Sequence, residues 1–202
     1  MKVTKKRLTR SFYENTDVVE IAQRLLGKVI CTNINGVISE AIITETEAYS
    51  GQNDKACHAH MGKFTKRTAT MYEPGGTAYV YLCYGIHHLF NIVTNVKGTA
   101  DAVLVRGVEP ISGIDYMLAR RKTSKFKPTV FSGPGKLSKS LGINKGHNGV
   151  DMVYSNELYI YDSNIEVQNV IHSTRIGIDY AEEDALLPWR FYISGNKFVS
   201  KF

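Results

Sequence analysis

Short apolar runs separated by turn residues dominate this chain, and they predict more strands than helices. The runs at residues 28–34 and 37–49 are predicted strands that meet at Asn35-Gly36, a dipeptide typical of tight hairpins. A second hairpin is predicted to turn near Gly85, between strands rich in aromatic and β-branched residues. The other predicted strands, including the two beside Gly85, are residues 77–83, 88–94, 102–108, 157–161, 165–167 and 190–193.

Three segments have helical character. Residues 17–27 place apolar side chains at helical spacing between a capping aspartate and a closing glycine. Residues 110–122 begin with proline and end with three basic residues, and residues 132–143 form a Gly/Pro loop that opens into a short helix. Residues 50–76 are polar and glycine-rich, so we expect a loop with about one helical turn. Together the elements predict an α+β fold, a mostly antiparallel sheet with flanking helices.

Composition narrows the class of protein. The chain has 202 residues, of which 43% are hydrophobic and 22% charged, so we expect one compact domain covering residues 1–202. Lys and Arg outnumber Asp and Glu by 25 to 19, and the net charge of +6 favours a polyanionic partner. The three cysteines lack paired spacing, which is typical of reduced thiols in a cytosol. No apolar run could cross a membrane, and no apolar segment follows the basic N-terminus as in a secretory signal.

The first candidate for chemistry is the segment TETEAY at residues 44–49. Strict alternation along a strand places Ile43, Glu45, Glu47 and Tyr49 on one face. Two carboxylates beside an aromatic ring suit a catalytic base at a pocket wall, its basicity tuned by burial and by the neighbouring charge. The same pattern also fits a solvated strand face whose glutamates pair with Lys or Arg.

Three tyrosines within six residues form the second candidate. In the predicted strand, Tyr79 and Tyr81 share a face, where they suit stacking on a planar ligand. Tyr84 precedes Gly85 at the predicted turn, where a large ring has little core to enter. A projecting aromatic ring beside a basic surface suits a wedge between stacked bases. Tyrosines are also common in ordinary strands, so each one alone fits a structural role.

The histidines and the basic residues are weaker signals. Cys57, His58 and His60 lie close together but lack the four-ligand spacing of a zinc site, so we expect no metal. His58 fits either a hydrogen-bond donor in a cleft or an ordinary surface histidine. Several groups of bases favour phosphate contacts. These groups are Lys2, Lys5, Lys6, Arg7 and Arg10; Arg120, Arg121, Lys122, Lys125 and Lys127; and Lys136, Lys139 and Lys145.

An ordered set of motifs runs along residues 20–200. It begins with TETEAYSG and a histidine eleven residues after the second glutamate, and continues with GTAYVYLCYGIHHLFNI and AVLVRGVEP. SGPGKLSKSLGIN, RIGI and WRFYISG follow in order. The set resembles the alkyladenine (3-methyladenine) DNA glycosylase family. This resemblance implies a base-excision repair enzyme with a single mixed α/β domain, a curved antiparallel sheet and no cofactor or metal.

The resemblance also implies roles for individual residues. Glu47 matches the family's catalytic carboxylate, and Arg106 matches the arginine that helps to hold the catalytic water. Ile176 sits where a backbone carbonyl also contacts that water. Tyr84 matches the tyrosine that enters the minor groove and fills the vacated space, and Asn91 matches an asparagine that disfavours guanine. The residues expected to bind the base or line its pocket are Tyr49, His58, Tyr81, Asn91 and Ile176.

These roles describe a hydrolytic mechanism. A damaged purine (an alkylated adenine or guanine, hypoxanthine or ethenoadenine) leaves the duplex and enters the pocket. It lies between Tyr81 on one face and Tyr49 with His58 on the other. Glu47 deprotonates a water that attacks the sugar. Because no lysine occupies the position of Glu47, we expect an abasic product and no lyase step.

Two other classes of function stay open at this point. A non-catalytic nucleic-acid-binding module would use the same bases and aromatic tip. A carbohydrate hydrolase would use Glu45 and Glu47, which a strand places about 7 Å apart, although the basic charge brings no benefit with neutral sugars. For the repair enzyme we expect a monomer that binds double-stranded DNA containing damaged purines and no membrane. It would be cytoplasmic, at the nucleoid, in a bacterium and nuclear in a eukaryote.

Overall fold

Nine strands form one sheet in this computed structural model, which describes residues 5–200. The strands are β1 Lys6–Arg7, β2 Val29–Ile34, β3 Val37–Tyr49, β4 Ala78–Cys83, β5 His87–Thr94, β6 Asp101–Ser112, β7 Leu158–Asp162, β8 Val170–Ser173 and β9 Arg190–Ile193. Their order is β1-β7-β2-β3-β6-β5-β4, and β9 pairs with both β3 and β8. The pairings are antiparallel. The first and fourth strands therefore lie at opposite edges of the sheet.

Short helices flank the sheet, so the predicted α+β fold is confirmed. The α-helices are α1 Arg10–Tyr13, α2 Val18–Arg24, α3 Ile114–Arg120 and α4 Pro134–Leu141. The 3-10 helices are His60–Gly62, Ala69–Tyr72, Pro128–Val130, Lys145–His147 and Asp179–Leu186. Within residues 5–200, no helix has both the length and the apolar character that crossing a membrane requires.

Helix α2 forms where the sequence predicts it. The Asp17 carboxylate accepts hydrogen bonds from the backbone N–H groups of Val19 and Glu20 at 2.8 and 3.0 Å, so it caps the helix start. Its apolar face buries Ile21 and Ala22 in the main core. The Thr46 hydroxyl of β3 donates to the Ala22 carbonyl at 2.8 Å. These contacts fix the helix against the strand that carries the candidate glutamates.

Both predicted hairpins are present. The β2–β3 turn has positive φ at Asn35 and Gly36, 54° and 81°, and the β4–β5 turn has positive φ at Tyr84 and Gly85, 49° and 73°. Two successive left-handed residues make the tight turn whose twist matches that of the flanking strands. The ring of Tyr84 is 91% exposed, as its predicted place at a turn tip requires.

Strand β3 departs from the strict alternation that the sequence predicts. Ile43 and Ala48 both lie in the main core, although five positions separate them. The pairing of β3 with β6 is irregular on both sides of Glu45, which is typical of a bulge that turns later side chains to the other face. The prediction that Ile43 shares a face with the glutamates is therefore wrong.

The start of one predicted helix and the whole of one predicted strand are wrong. Residues 109–112 extend β6, and α3 begins only after Gly113 (φ 71°) instead of at Pro110. Pro110 is tolerated there because that part of β6 pairs with β3 while its pairing with β5 ends at Leu104. Residues 165–167 form no strand; the side chain of Val167 packs on the main core, and β8 follows three residues later.

The N-terminal bases lie on different elements: Lys6 and Arg7 form the edge strand β1, whereas Arg10 lies in α1 and donates to the Gly75 carbonyl, just before β4. Lys2 is outside the described residues. Lys5 pairs with Glu40 at 2.6 Å, and Arg10 pairs with Asp151. The positive charges of Lys5 and Arg10 are therefore balanced by acidic side chains of the same protein.

Candidate active site

A cavity of about 730 Å³ opens beside the β4–β5 hairpin. Its wall combines side chains from β3, β4 and β6 with residues of the loops that follow β3 and β8. Six residues that the sequence singles out line it: Tyr49, His58, Tyr81, Tyr84, Arg106 and Ile176. The sheet thus brings together groups that are up to 127 positions apart along the chain.

Glu47 lies directly behind this wall and is fully buried. Its Oε1 accepts the backbone N–H of Ile176 at 2.8 Å, and its Oε2 accepts the Tyr49 hydroxyl at 2.7 Å and Arg106 Nη1 at 3.3 Å. All three donors line the cavity. A carboxylate offers about four acceptor positions, so Oε1 keeps one that a water can use. The 3.3 Å contact with Arg106 is long for a charge-assisted hydrogen bond and is the easiest to open.

Glu45 has a different environment, although Arg106 also contacts it. Its Oε1 accepts Arg190 Nε at 2.6 Å, the Ser200 hydroxyl at 2.8 Å and Arg106 Nε at 3.3 Å. Its Oε2 accepts the Ser200 backbone N–H at 2.7 Å. Glu45 is fully buried, does not line the cavity and is paired with both Arg190 and Arg106, so it cannot serve as the second catalytic carboxylate of a carbohydrate hydrolase. Its role is to hold Arg106 beside Glu47.

A buried ion pair that the sequence analysis missed supports the loop carrying Ile176. Arg175 donates to both oxygens of Asp54, at 2.5 and 2.8 Å, and to the Ala48 carbonyl at 2.9 Å. Its guanidinium also lies 4.8 Å from the centre of the Tyr49 ring. Both charged side chains are fully buried. The RIGI motif contains this arginine, but no spacing in the sequence connects it with Asp54.

His58, Tyr79 and Tyr81 form an aromatic wall. The His58 and Tyr81 rings meet edge to face with centroids 4.7 Å apart, and His58 Nδ1 lies 3.0 Å from the Tyr79 hydroxyl. A purine stacked between two rings needs about 7 Å between them. The expected arrangement, with His58 and Tyr81 on opposite faces of the base, is therefore wrong for this structure. His58 and Tyr81 belong to the same wall.

Burial controls the ionisation of this wall. Burial, together with the nearby charge of Arg67, lowers the pKa of His58 from 6.5 to about 4, so the imidazole is neutral near pH 7. Burial also raises the pKa of Tyr79 to about 12. Burial and the adjacent Glu47 carboxylate raise the pKa of Tyr49 well above 10, so its hydroxyl stays a hydrogen-bond donor. The wall therefore presents neutral rings to the cavity.

Asn91 lies behind the wall. Its side-chain amide donates to the backbone carbonyls of Tyr79 at 3.1 Å and Leu89 at 3.4 Å, and the residue is buried. Leu89 and Leu104 line the cavity at this level. The structure thus brings the other six predicted positions to the cavity surface, keeps Glu47 just behind it and turns the Asn91 amide toward the backbone.

The comparison with protein families identifies the chain. The family model for methylpurine-DNA glycosylase matches residues 11–197. The chain belongs to the methylpurine-DNA glycosylase family. It is 48% identical over 204 residues to a Clostridium perfringens (strain 13 / Type A) protein assigned the name 3-methyladenine DNA glycosylase, covering 96% of this chain and 99% of that one. Proteins with the same assigned name from Clostridium tetani and Natranaerobius thermophilus are each 43% identical, covering 96% of this chain and 99% and 98% of theirs.

Membership of the methylpurine-DNA glycosylase family settles the class of function. The protein is a DNA N-glycosylase, a hydrolase of base-excision repair, and DNA is its substrate. The family named from the sequence is confirmed, and the non-catalytic binding module is not supported. Within this methylpurine-DNA glycosylase the structure adds two features that the motifs do not reveal: the Arg175–Asp54 pair and the contact of Arg67 with the aromatic wall.

Proposed function

We propose that this glycosylase flips alkylated or deaminated purines out of duplex DNA and hydrolyses the N-glycosidic bond with a water activated by Glu47. The observation that carries the proposal is the position of Glu47. Three donors from separate segments hold its carboxylate immediately behind an aromatic cavity large enough for a purine nucleoside. A fixed carboxylate beside such a cavity is suited to take a proton from water and to oppose positive charge on the sugar.

The flipped purine fits between Tyr49 and the wall formed by His58 and Tyr81. These rings are neutral and electron-rich, so they attract the positive charge of an N3- or N7-alkylated purine. Such a base is already a good leaving group, whereas hypoxanthine or ethenoadenine needs a proton or a hydrogen bond to leave. Arg106, which links Glu45 and Glu47, opens toward the incoming sugar and orients the water.

Tyr84 is proposed to fill the gap that the base leaves. It stands at the tip of a tight turn beside the cavity and is 91% exposed, so its ring reaches beyond the protein surface. An aromatic side chain inserted between base steps holds the extruded state open. Two basic residues, Arg121 and Lys136, line the same cavity. Their side chains would then contact the DNA phosphates.

A base-release assay tests the proposal. Duplex oligonucleotides containing hypoxanthine, ethenoadenine or 7-methylguanine are incubated with the protein, and alkali then reveals abasic sites. We expect release by the unaltered protein and a loss of about a thousandfold or more in Glu47→Gln, with binding to an abasic-site analogue retained. Circular dichroism provides the control for folding. Absence of release from all three duplexes would contradict the proposal.

The water nucleophile has its own test. Without alkali the abasic strand should stay intact, and sodium borohydride should trap no protein–DNA adduct. A trapped adduct would contradict hydrolysis by water, and Lys136, the lysine of the cavity wall, would then be the residue to replace.

A further inference from the structure

Arg67 is the cavity residue whose part in the reaction is unassigned. It follows the 3-10 helix His60–Gly62, and its Nη2 donates to His58 Nε2 at 3.0 Å. Its guanidinium lies 4.8 Å from the centre of the Tyr81 ring, and the residue lines the cavity. One cation thus touches two of the rings on which a flipped base would stack.

This contact fixes the hydrogen-bond direction along the wall. A guanidinium has no acceptor, so His58 Nε2 must accept and the proton of the neutral ring must be on Nδ1. The Nδ1–H then donates to the Tyr79 hydroxyl at 3.0 Å. Arg67 therefore orients the imidazole and determines its tautomer, and both effects depend on a side chain outside the predicted motifs.

Arg67 differs from Arg106 and Arg175, whose charges are balanced by acidic partners. Arg106 contacts two glutamates, and the Arg175 behind Tyr49 pairs with Asp54. Among the ion pairs of residues 5–200, none involves Arg67. Burial is the largest cause of the pKa shifts of four neighbouring rings, and the charge of Arg67 lowers the pKa of each. The four are His58, Tyr79, Tyr81 and Tyr180.

We propose that Arg67 is a specificity-determining residue that favours neutral damaged purines over cationic alkylpurines. The inference rests on the proposed function. A base stacked on the His58–Tyr81 wall lies next to an uncompensated positive charge, which repels an N7-methylpurinium and leaves a neutral purine unaffected. Arg67 is exposed in the free protein, so water screens it; docked DNA excludes that water and strengthens the effect. The attraction of the rings for a cation is thereby partly offset.

The test compares two lesions in three variants. Single-turnover release of 7-methylguanine and hypoxanthine is measured in the same duplex sequence, and the ratio of the two rates is the readout. We expect Arg67→Gln to raise the ratio of 7-methylguanine to hypoxanthine about fivefold or more. Arg67→Lys keeps the charge and should restore the ratio to within about twofold. The matched control is Lys66→Gln, which removes an exposed charge one residue away and should leave the ratio unchanged.

A second readout separates specificity from simple structural support. The His58 proton signal is titrated by NMR in the unaltered protein and in Arg67→Gln, where we expect the midpoint to rise from about 4 and to stay below 6.5 because burial remains. A raised midpoint with an unchanged rate ratio would show that Arg67 only positions His58 and would overturn the proposal. Equal ratio shifts in Arg67→Gln and Lys66→Gln would overturn it too. If the unaltered protein releases neither of these bases nor ethenoadenine, the proposed function itself fails.

Discussion

At the residue scale, Tyr84 combines an unfavourable backbone conformation with almost complete exposure. Its φ of 49° lies in the left-handed region, which costs a non-glycine residue about 1–2 kcal/mol. The exposed ring gains no burial in the free protein that would offset this cost. Strain of this kind persists at sites where a side chain is needed in one place. In the proposed mechanism, the gain that offsets this cost comes from the complex with DNA.

Replacing Tyr84 by glycine should separate stability from activity. Glycine adopts the left-handed conformation freely, so Tyr84→Gly should raise the free energy of unfolding by up to about 1 kcal/mol in urea denaturation. Base release should fall about tenfold or more, because nothing fills the gap in the duplex. Tyr84→Phe keeps the ring and serves as the control. If Tyr84→Gly releases the base at the rate of the unaltered protein, Tyr84 does not act as a wedge in the duplex.

The sequence predicts the proposed reacting groups better than the side chains that support them. Glu47, Tyr49 and Arg106 lie in motifs whose order identifies the family, so their proximity could be predicted. The hydrogen bond of Arg67 with His58 could not be predicted, because it depends on the path of an irregular polar loop. The edge-to-face contact of His58 with Tyr81 has the same origin. The resemblance groups His58 with Tyr49, and no local signal connects the loop of His58 with β4.

At the element scale, locally determined features were predicted and tertiary ones were not. The Asn35-Gly36 turn and the Asp17 cap each depend on residues within a few positions. The start of α3 depends instead on Ser39 and its neighbours in β3, against which Gly113 packs. The continuation of β6 through Pro110 likewise depends on a neighbouring strand. A single sequence carries no local signal for such contacts.

Two glycine-to-alanine substitutions test this distinction. A Cβ at Gly36 would meet nothing within 4 Å, so Gly36→Ala should cost only the left-handed strain, about 1 kcal/mol. A Cβ at Gly113 would lie 2.3 Å from the Ile38 carbonyl oxygen, and backbone cannot move aside cheaply. Gly113→Ala should therefore cost about 3 kcal/mol or more, measured by urea denaturation. Equal costs would show that the α3 start is not held by this close packing.

At the scale of the whole molecule, the sheet separates the basic groups into two sites. The bases of β1 lie at the edge opposite β4, whereas Arg121 and Lys136 line the cavity beside the β4–β5 hairpin. The net charge of +6 attracts DNA from a distance, but only bases near the cavity can contact phosphates flanking a flipped nucleotide. Arg121 follows α3 and Lys136 lies in α4, which packs against His87 of β5. Their closeness to the cavity depends on this packing, so the linear sequence did not distinguish them.

The salt dependence of DNA affinity should reveal this separation. Each phosphate contact contributes a slope of about −0.9 to log affinity against log salt. DNA affinity is measured by fluorescence anisotropy in the Glu47→Gln background at several salt concentrations. Adding Lys136→Gln should make the slope less steep by about 0.9. Lys6→Gln, which removes an exposed charge at the far edge, should leave the slope unchanged. The reverse pattern would place the DNA at the β1 edge.

The carboxylate of Glu45 ties together parts of the chain that are remote in sequence. Its partners Arg106, Arg190 and Ser200 lie 61, 145 and 155 positions away. Contacts of such long range require the closure of long loops, which slows folding. Under the proposed mechanism, a partly folded chain that lacks the Glu45 contacts would still be attracted to DNA by its charge, but without the support for Arg106 it would not remove a base.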